Sequence, residues 1–330
     1  MQHGRLSVTK KTGVFILKLI VMVAVFAFVG IKLEQTWHTV GQHPVHIDWR
    51  YCAIIPLAFV GIMTTNALTW LWLARRMGDR SPVLPLLGAY TFSQMGKYAP
   101  GKVLLVLMRL ERTHRAGMAR ETCLLSTLLE NAMYTLSGGL VGSTALVVAA
   151  RNHPLYLLGC GLIMAGLLGL FYPPFFFWII NTALRSMGKA AIPPSRRFKL
   201  KHMIYAVVMF LPTWLWGGVG LWMAVSCVHH VSILHTFELI GVFALSVSLG
   251  MFSLLPGGLG VREAVQALFI APLVGSPELV VVVVALPRVC QILVELTLAI
   301  IGGIVNSRLT AKLPAPPPEE PRSSAQQPAG

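Results

Sequence analysis

Apolar residues along this chain fall into long blocks separated by short basic segments, and the block lengths predict the elements. Runs near 14–33, 51–73, 122–149, 155–181, 203–228 and 279–305 each reach the roughly 20 residues that a helix needs to cross a bilayer. The first is too long for a signal-peptide core and lacks a small-residue cleavage site, so it reads as a retained helix. Pro212 is a candidate kink in the run 203–228. Two further regions are apolar but interrupted. In 83–110, pieces near 84–95 and 103–110 flank Gly96–Lys102. Each would be only about 12–18 Å long as a helix, against roughly 30 Å of hydrocarbon. In 235–272, a first arm (238–254) could almost span and a second (263–274) could not. The expected fold class is an all-α polytopic integral membrane protein, with about six spanning helices plus two re-entrant helical hairpins at 83–110 and 235–272.

The two interruptions share a pattern. Phe92-Ser93 precedes Gly96, Pro100 and Gly101, and Lys102 follows; Phe252-Ser253 precedes Pro256, Gly257, Gly258 and Gly260, and Arg262 follows. Proline removes a backbone donor and glycine lowers helix propensity, so both stretches break their helices. Backbone groups freed at membrane depth must face protein or a water-filled cavity. Interrupted apolar segments in corresponding positions of two halves point to a transporter site at the repeat interface. The expectation is an inverted repeat whose broken hairpins meet near the midplane.

Composition strengthens the membrane reading. Of 330 residues, 55% are hydrophobic and only 12% charged, where a soluble domain carries about 25%. The formal net charge of +15 is explained by basic cytoplasmic loops and needs no nucleic acid. With the N-terminus inside, the inside collects the tail 1–13, the segments 75–80, 109–120 (Arg109, Arg112, Arg115, Arg120) and 185–201, and the tail after Arg308. The outside keeps Lys32, Arg50 and Arg151. Both termini are therefore expected in the cytoplasm. The chain divides into a basic tail (1–13), one membrane domain (14–305) and a disordered Pro-rich tail (306–330).

Ionisable residues inside apolar segments are costly and face a cavity or a partner. Here they are Lys97, Lys102, Glu130, Arg262, Glu263, Arg288 and Glu295. Arg288 and Glu295 lie two turns apart on one helix face, too far to pair directly, so each is expected to meet something else. One reading is an ion-pair network between helices, for example Glu130 or Glu295 with Arg262 or Arg288. The other is that the cations hold a lipid phosphate while the carboxylates balance them or bind a cationic headgroup. The two are compatible. Asn66 is expected in an interhelical hydrogen bond, His235 and Glu238 at the outer boundary, and Trp214, Trp216 and Trp222 toward lipid.

Several chemistries are excluded. Gly96–Lys102 matches the glycine and lysine spacing of a P-loop, but Val103 replaces the magnesium-binding Ser/Thr and no strand precedes it. The stretch 257–263 lacks the third glycine and the βαβ context of a dinucleotide site. His38, His43 and His46 are irregularly spaced, and the five cysteines are scattered without a CxxC pair. Neither a metal site nor a disulfide framework is expected. No cofactor and no enzymatic activity are expected.

GKYAPGKV followed by a basic run, and LLPGGLGVRE followed by a short apolar arm and a helix with LPRV, resemble the lysylphosphatidylglycerol synthase transmembrane-region family, also called UPF0104 membrane proteins. That family includes the flippase half of the multiple peptide resistance factor and stand-alone bacterial and archaeal members. The resemblance covers about 10–305. It implies a bacterial or archaeal plasma-membrane protein that moves a lipid, or a lipid-linked headgroup, between leaflets. Carried over position by position, the implied site residues are Gly96, Lys97, Pro100, Gly101, Pro256, Gly257, Gly258, Gly260, Arg262, Glu263 and Arg288. Family members often carry Glu-Arg in the third helix, where this chain has Glu130-Asn131, which leaves the partner of that carboxylate open. No stretch reads as a soluble aminoacyl-transfer domain, so synthesis of aminoacylated lipid is not expected. The expected function is a lipid flippase with membrane lipids, anionic headgroups among them, as partners. The alternatives are a non-transporting subunit beside a lipid- or glycan-modifying enzyme, and a membrane-embedded enzyme on lipid-linked substrates.

Overall fold

The computed structural model describes residues 48–98, 103–150, 154–170, 172–186, 188, 191–194, 197–253 and 256–313. The helix expected near 14–33, the histidines His38, His43 and His46, and Pro100, Gly101 and Lys102 lie outside the described residues. The described elements are α1 (Trp49–Arg76), α2 (Val83–Ser93), a 3₁₀ turn (Gln94–Tyr98), α3 (Val103–Arg115), α4 (Arg120–Ala150), α5 (Pro154–Gly169) and α6 (Pro173–Ser186). They continue with α7 (Leu200–Ser226), α8 (His235–Phe252), a second 3₁₀ turn (Pro256–Gly258), α9 (Val261–Val274) and α10 (Pro277–Thr310). No strand occurs among the described residues.

Three described helices, α1, α7 and α10, are long and apolar enough to cross a membrane. With 28, 27 and 34 residues they extend about 40–50 Å. By contrast α2, α3 and α9 have 11, 13 and 14 residues and extend only about 16–21 Å. The single helix expected over 155–181 is instead two, α5 and α6. Its physical cause is Pro173-Pro174: a residue before proline is pushed out of the α region, and a proline without its N–H suits a first helical turn. Pro212, the candidate kink, leaves α7 a single helix.

Helix pairing sets the architecture. α1 and α7 run antiparallel. At one end the Asp48 N–H donates to the Cys227 carbonyl at 2.9 Å and Tyr51 meets Trp222 edge-on. Midway, Thr213 donates to Asn66 Oδ1 at 2.7 Å, the interhelical bond expected of Asn66. At the far end Trp72 packs on Tyr205. α2 runs antiparallel to α10: Asn306 Nδ2 donates to the Pro85 carbonyl at 2.9 Å, and Gly302 lies so close that a Cβ there would sit 2.9 Å from the Gly88 oxygen. α4 runs antiparallel to α8 through Gly142 on Leu245 and Gly241 on Ala145. Small residues let these backbones approach. Exchanging α1, α2, α3 and α4 for α7, α8, α9 and α10 turns the α2–α10 pair into the α8–α4 pair and the α2–α3 hairpin into α8–α9.

Two expectations about side chains change. Trp214 does not face lipid: it is 1% exposed, packs against Tyr134 and Phe243, and its indole donates to Ser137 Oγ at 3.1 Å. Its position on α7 faces both α4 and α8, whereas Trp216 two residues on stays exposed. The cysteines are not all isolated either. Antiparallel packing brings Cys52 and Cys227 Sγ to 3.0 Å as free thiols, a juxtaposition that a separation of 175 residues hides.

Candidate functional site

The two breaks meet. Gly257 adopts φ +61°, a left-handed conformation open to glycine at little cost, and a Cβ there would stand 3.8 Å from both the Tyr98 ring and Arg288 Nη2. The turn aims the Gly257 carbonyl at Arg288, whose Nη2 donates to it at 3.1 Å. Gly258 approaches Gly250 of α8, where a Cβ would be 3.0 Å from the Gly250 Cα. Between the breaks lies a cavity lined from α1, α2, α3, both turns, α4, α8, α9 and α10.

A polar chain runs along α10 through this cavity. Glu295 accepts from Lys97 Nζ at 2.6 Å and from the Tyr98 hydroxyl at 2.6 Å, both in the first turn. Gln291 Nε2 donates to Glu295 at 2.7 Å, and Gln291 Oε1 accepts from Arg288 Nη1 at 2.9 Å. Arg288 Nε lies 2.7 Å from Glu263 Oε1 as a close ion pair, although neither atom has an aligned hydrogen bond. Glu263 Oε2 in turn accepts from the Gly260 N–H at 2.6 Å, capping the start of α9. Arg288 and Glu295 thus meet through intermediaries, as their two-turn spacing implies. Gln291, missed from sequence, sits three residues after one and four before the other, on the same helix face. Tyr98 was also missed.

Glu130 is not paired with Arg262 or Arg288. Its Oε2 lies 2.5 Å from Arg109 Nη1 and its Oε1 accepts from the Tyr90 hydroxyl at 2.6 Å. Arg109, read from sequence as a member of the basic cytoplasmic run, is 1% exposed. Its Nε donates to Ser93 Oγ at 3.1 Å, and the guanidinium stacks over Tyr90 at 4.2 Å and Trp70 at 5.3 Å. Arg109 closes an otherwise apolar stretch, Val103–Met108, and a helix carries it inward. Asn131, where family members often have arginine, donates to the Thr127 carbonyl and lines the cavity.

Arg262 stands apart. It is 7% exposed, and its stem is wedged between Gly250 and Gly258, where added Cβ atoms would lie 2.6 Å from Cγ and 3.2 Å from Cδ. The guanidinium lies over the Phe243 ring at 5.5 Å and lines the cavity. Its Nε has no hydrogen-bond partner, and no described carboxylate pairs with it. Of the sequence-selected residues, Lys97, Glu130, Arg262, Glu263, Arg288 and Glu295 therefore converge on one region, while Lys102 lies outside the described residues. No group of three or more His, Cys, Asp or Glu that could hold a metal occurs among the described residues.

The model of the lysylphosphatidylglycerol synthase TM region matches residues 14–299, which contain both breaks and the whole polar chain. No curated protein matches. With that match spanning most of its length and long apolar helices on its structure, the chain is a multi-pass membrane protein that belongs to the lysylphosphatidylglycerol synthase TM-region family.

Proposed function

We propose that this protein moves a lipid between leaflets, passing the headgroup through the cavity at the two breaks while the acyl chains stay in the bilayer. One observation carries the reading: the two interrupted segments touch, and buried charges from both converge with α10 on one cavity. Buried ionisable groups in membrane proteins mark substrate or ion paths, and broken helices are tolerated where they line a cavity. In this proposal α2–α3 and α8–α9 are re-entrant hairpins, because α2, α3 and α9 are too short to span, and about six helices cross. Antiparallel α1 and α7, together with the matched α2–α10 and α8–α4 pairs, support an inverted repeat. Lysine and arginine asymmetry supports cytoplasmic termini, with the first hairpin entering from inside and the second from outside, and the family resemblance implies a bacterial or archaeal plasma membrane.

Alternating exposure would then use two latches on one helix. Lys97–Glu295 ties the first break to α10, and Arg288–Glu263 ties the second break to the same helix, one latch for each side. No described motif supplies ATP hydrolysis, so movement is downhill or ion-coupled.

A second reading, a non-transporting subunit whose charges only hold the fold, is favoured by one fact: most of the cavity's ions are paired with each other. Reconstituted vesicles with fluorescent phospholipids and an external quencher separate the two. The flippase reading expects native protein to expose the lumenal half of the label and Glu295→Gln to slow this severalfold. If protein-loaded vesicles keep that half protected for anionic, zwitterionic and cationic headgroups alike, the protein is not a flippase.

A further inference from the structure

We propose that the ligand of this cavity is a phosphodiester of one negative charge on a neutral, hydroxyl-bearing headgroup, received by Arg262; this rests on the transport reading above. The charge balance of the site leads there. Among the described residues the site gathers four cations, Lys97, Arg109, Arg262 and Arg288, and three carboxylates, Glu130, Glu263 and Glu295. Each carboxylate is engaged by its own cation at 2.5–2.7 Å. Arg262 remains, nine-tenths buried, with its Nε unpartnered.

Burying a charge without a partner costs several kcal/mol even after relaxation, and a ring face at 5.5 Å returns only about 0.5–2 kcal/mol of that. A bound anion closes the gap. The fork of a guanidinium matches two oxygens of a phosphate or carboxylate, and in a membrane the anion at headgroup depth is the phosphodiester. One free positive charge matches one negative charge. A phosphomonoester would overshoot it. An amine-bearing headgroup would bring a cation that needs a carboxylate, and all three are taken. Gln94, Asn66 and Asn131 line the same cavity, amides suited to hydroxyls of a polyol or sugar.

The glycines fix the geometry of reception. Gly250 and Gly258 clamp the arginine stem, so the guanidinium is held ready before the ligand arrives and loses little rotamer freedom on binding.

The test is thermal unfolding of the purified full-length protein in detergent, for native, Arg262→Met and Arg262→Lys. Additions are phosphatidylglycerol, phosphatidylethanolamine, aminoacylated phosphatidylglycerol, and soluble glycerophosphoglycerol. Phosphatidylglycerol is expected to raise the native Tm, with its half-saturating concentration shifted about tenfold or more in Arg262→Met and less in Arg262→Lys. Without lipid, Arg262→Met is expected to melt at or above the native temperature, because it removes an unpaired buried charge while keeping an unbranched stem. Protection by soluble glycerophosphoglycerol equal to that by the lipid would keep the phosphodiester and assign it to a free headgroup. Equal protection by all three lipids, or protection unchanged in Arg262→Met, overturns the proposal. So does lipid-free destabilisation of both variants with phosphatidylglycerol protection left intact. The vesicle assay keeps the two readings apart. Zwitterionic lipid moved equally by native and Arg262→Met protein leaves transport standing and removes this inference. Protection by phosphatidylglycerol without movement of any lipid does the reverse.

Discussion

Two arginines on the second arms of the two hairpins, Arg109 on α3 and Arg262 on α9, are both buried and have opposite surroundings. Arg109 has a carboxylate, a serine hydroxyl and two aromatic faces. Arg262 has the face of one ring, Phe243, and two glycines. Desolvation costs both of them similarly. The fold answers it completely at Arg109, which makes that residue a bolt joining α2, α3 and α4. At Arg262 the fold holds the stem and leaves Nε without a partner, the arrangement that the proposed reception of an anion needs. Burial of a charge therefore does not by itself identify a site. The partner list of that charge does.

The largest expected effect separates the two directly. Arg109→Met leaves Glu130 uncompensated among Tyr90, Thr127 and the α2–α4 contact, and should cost about 3–5 kcal/mol, read as a large drop in Tm or as failure to recover folded protein. Arg262→Met should cost nothing. Glu130→Gln with Arg109→Met together should recover part of the loss, since both charges then leave. Equal losses at Arg109 and Arg262 would erase the contrast and make both structural.

Glu295→Gln should come next. It weakens bonds from Lys97, Tyr98 and Gln291, but Lys97 keeps a side chain 22% exposed and can turn toward water. The expected loss is about 2–3 kcal/mol, with Lys97→Met in the same chain cancelling about half of it. A double-mutant cycle on Tm checks this. Purely additive losses would mean that the Lys97–Glu295 contact does not latch the first break to α10.

How much of this contrast was legible follows from where the signal is local. Both breaks were readable because proline and glycine act through their own backbone, and Arg288–Glu295 because helical periodicity lies within one segment. Arg262 was selected from its position straight after a glycine-rich break. The bolt was not: Arg109 closes an apolar arm and opens a basic run, and only packing against α4 shows which neighbourhood it joins. The partner of Glu130 stayed open for the same reason: Arg262 and Arg288 were the examples offered, and only tertiary distance picks out Arg109. Gln291 carried a signal that was available, a polar residue on the very face that Arg288 and Glu295 define. The division of 155–181 was also available in Pro173-Pro174, and the length of the apolar run outweighed it.

The smallest effect sharpens the premise that Arg109 and Arg262 occupy matching places in two related halves. That premise depends on α1 and α7 running antiparallel in one register, from Asp48–Cys227 to Trp72–Tyr205. Cys52 and Cys227, with sulfurs 3.0 Å apart, report on it without disturbing either arginine. Treating folded protein with diamide, which takes up two electrons and two protons as the thiols join, should remove two titratable thiols and create a 52–227 cross-linked peptide. Tm should not fall, because the helices already meet there and a bond between residues 175 apart restricts the unfolded chain without displacing the native one. Cys52→Ser should abolish the cross-link and keep the fold. Failure of folded protein to form the 52–227 cross-link would mean a different packing of α7 on α1, and with it the loss of the correspondence that sets one arginine beside the other.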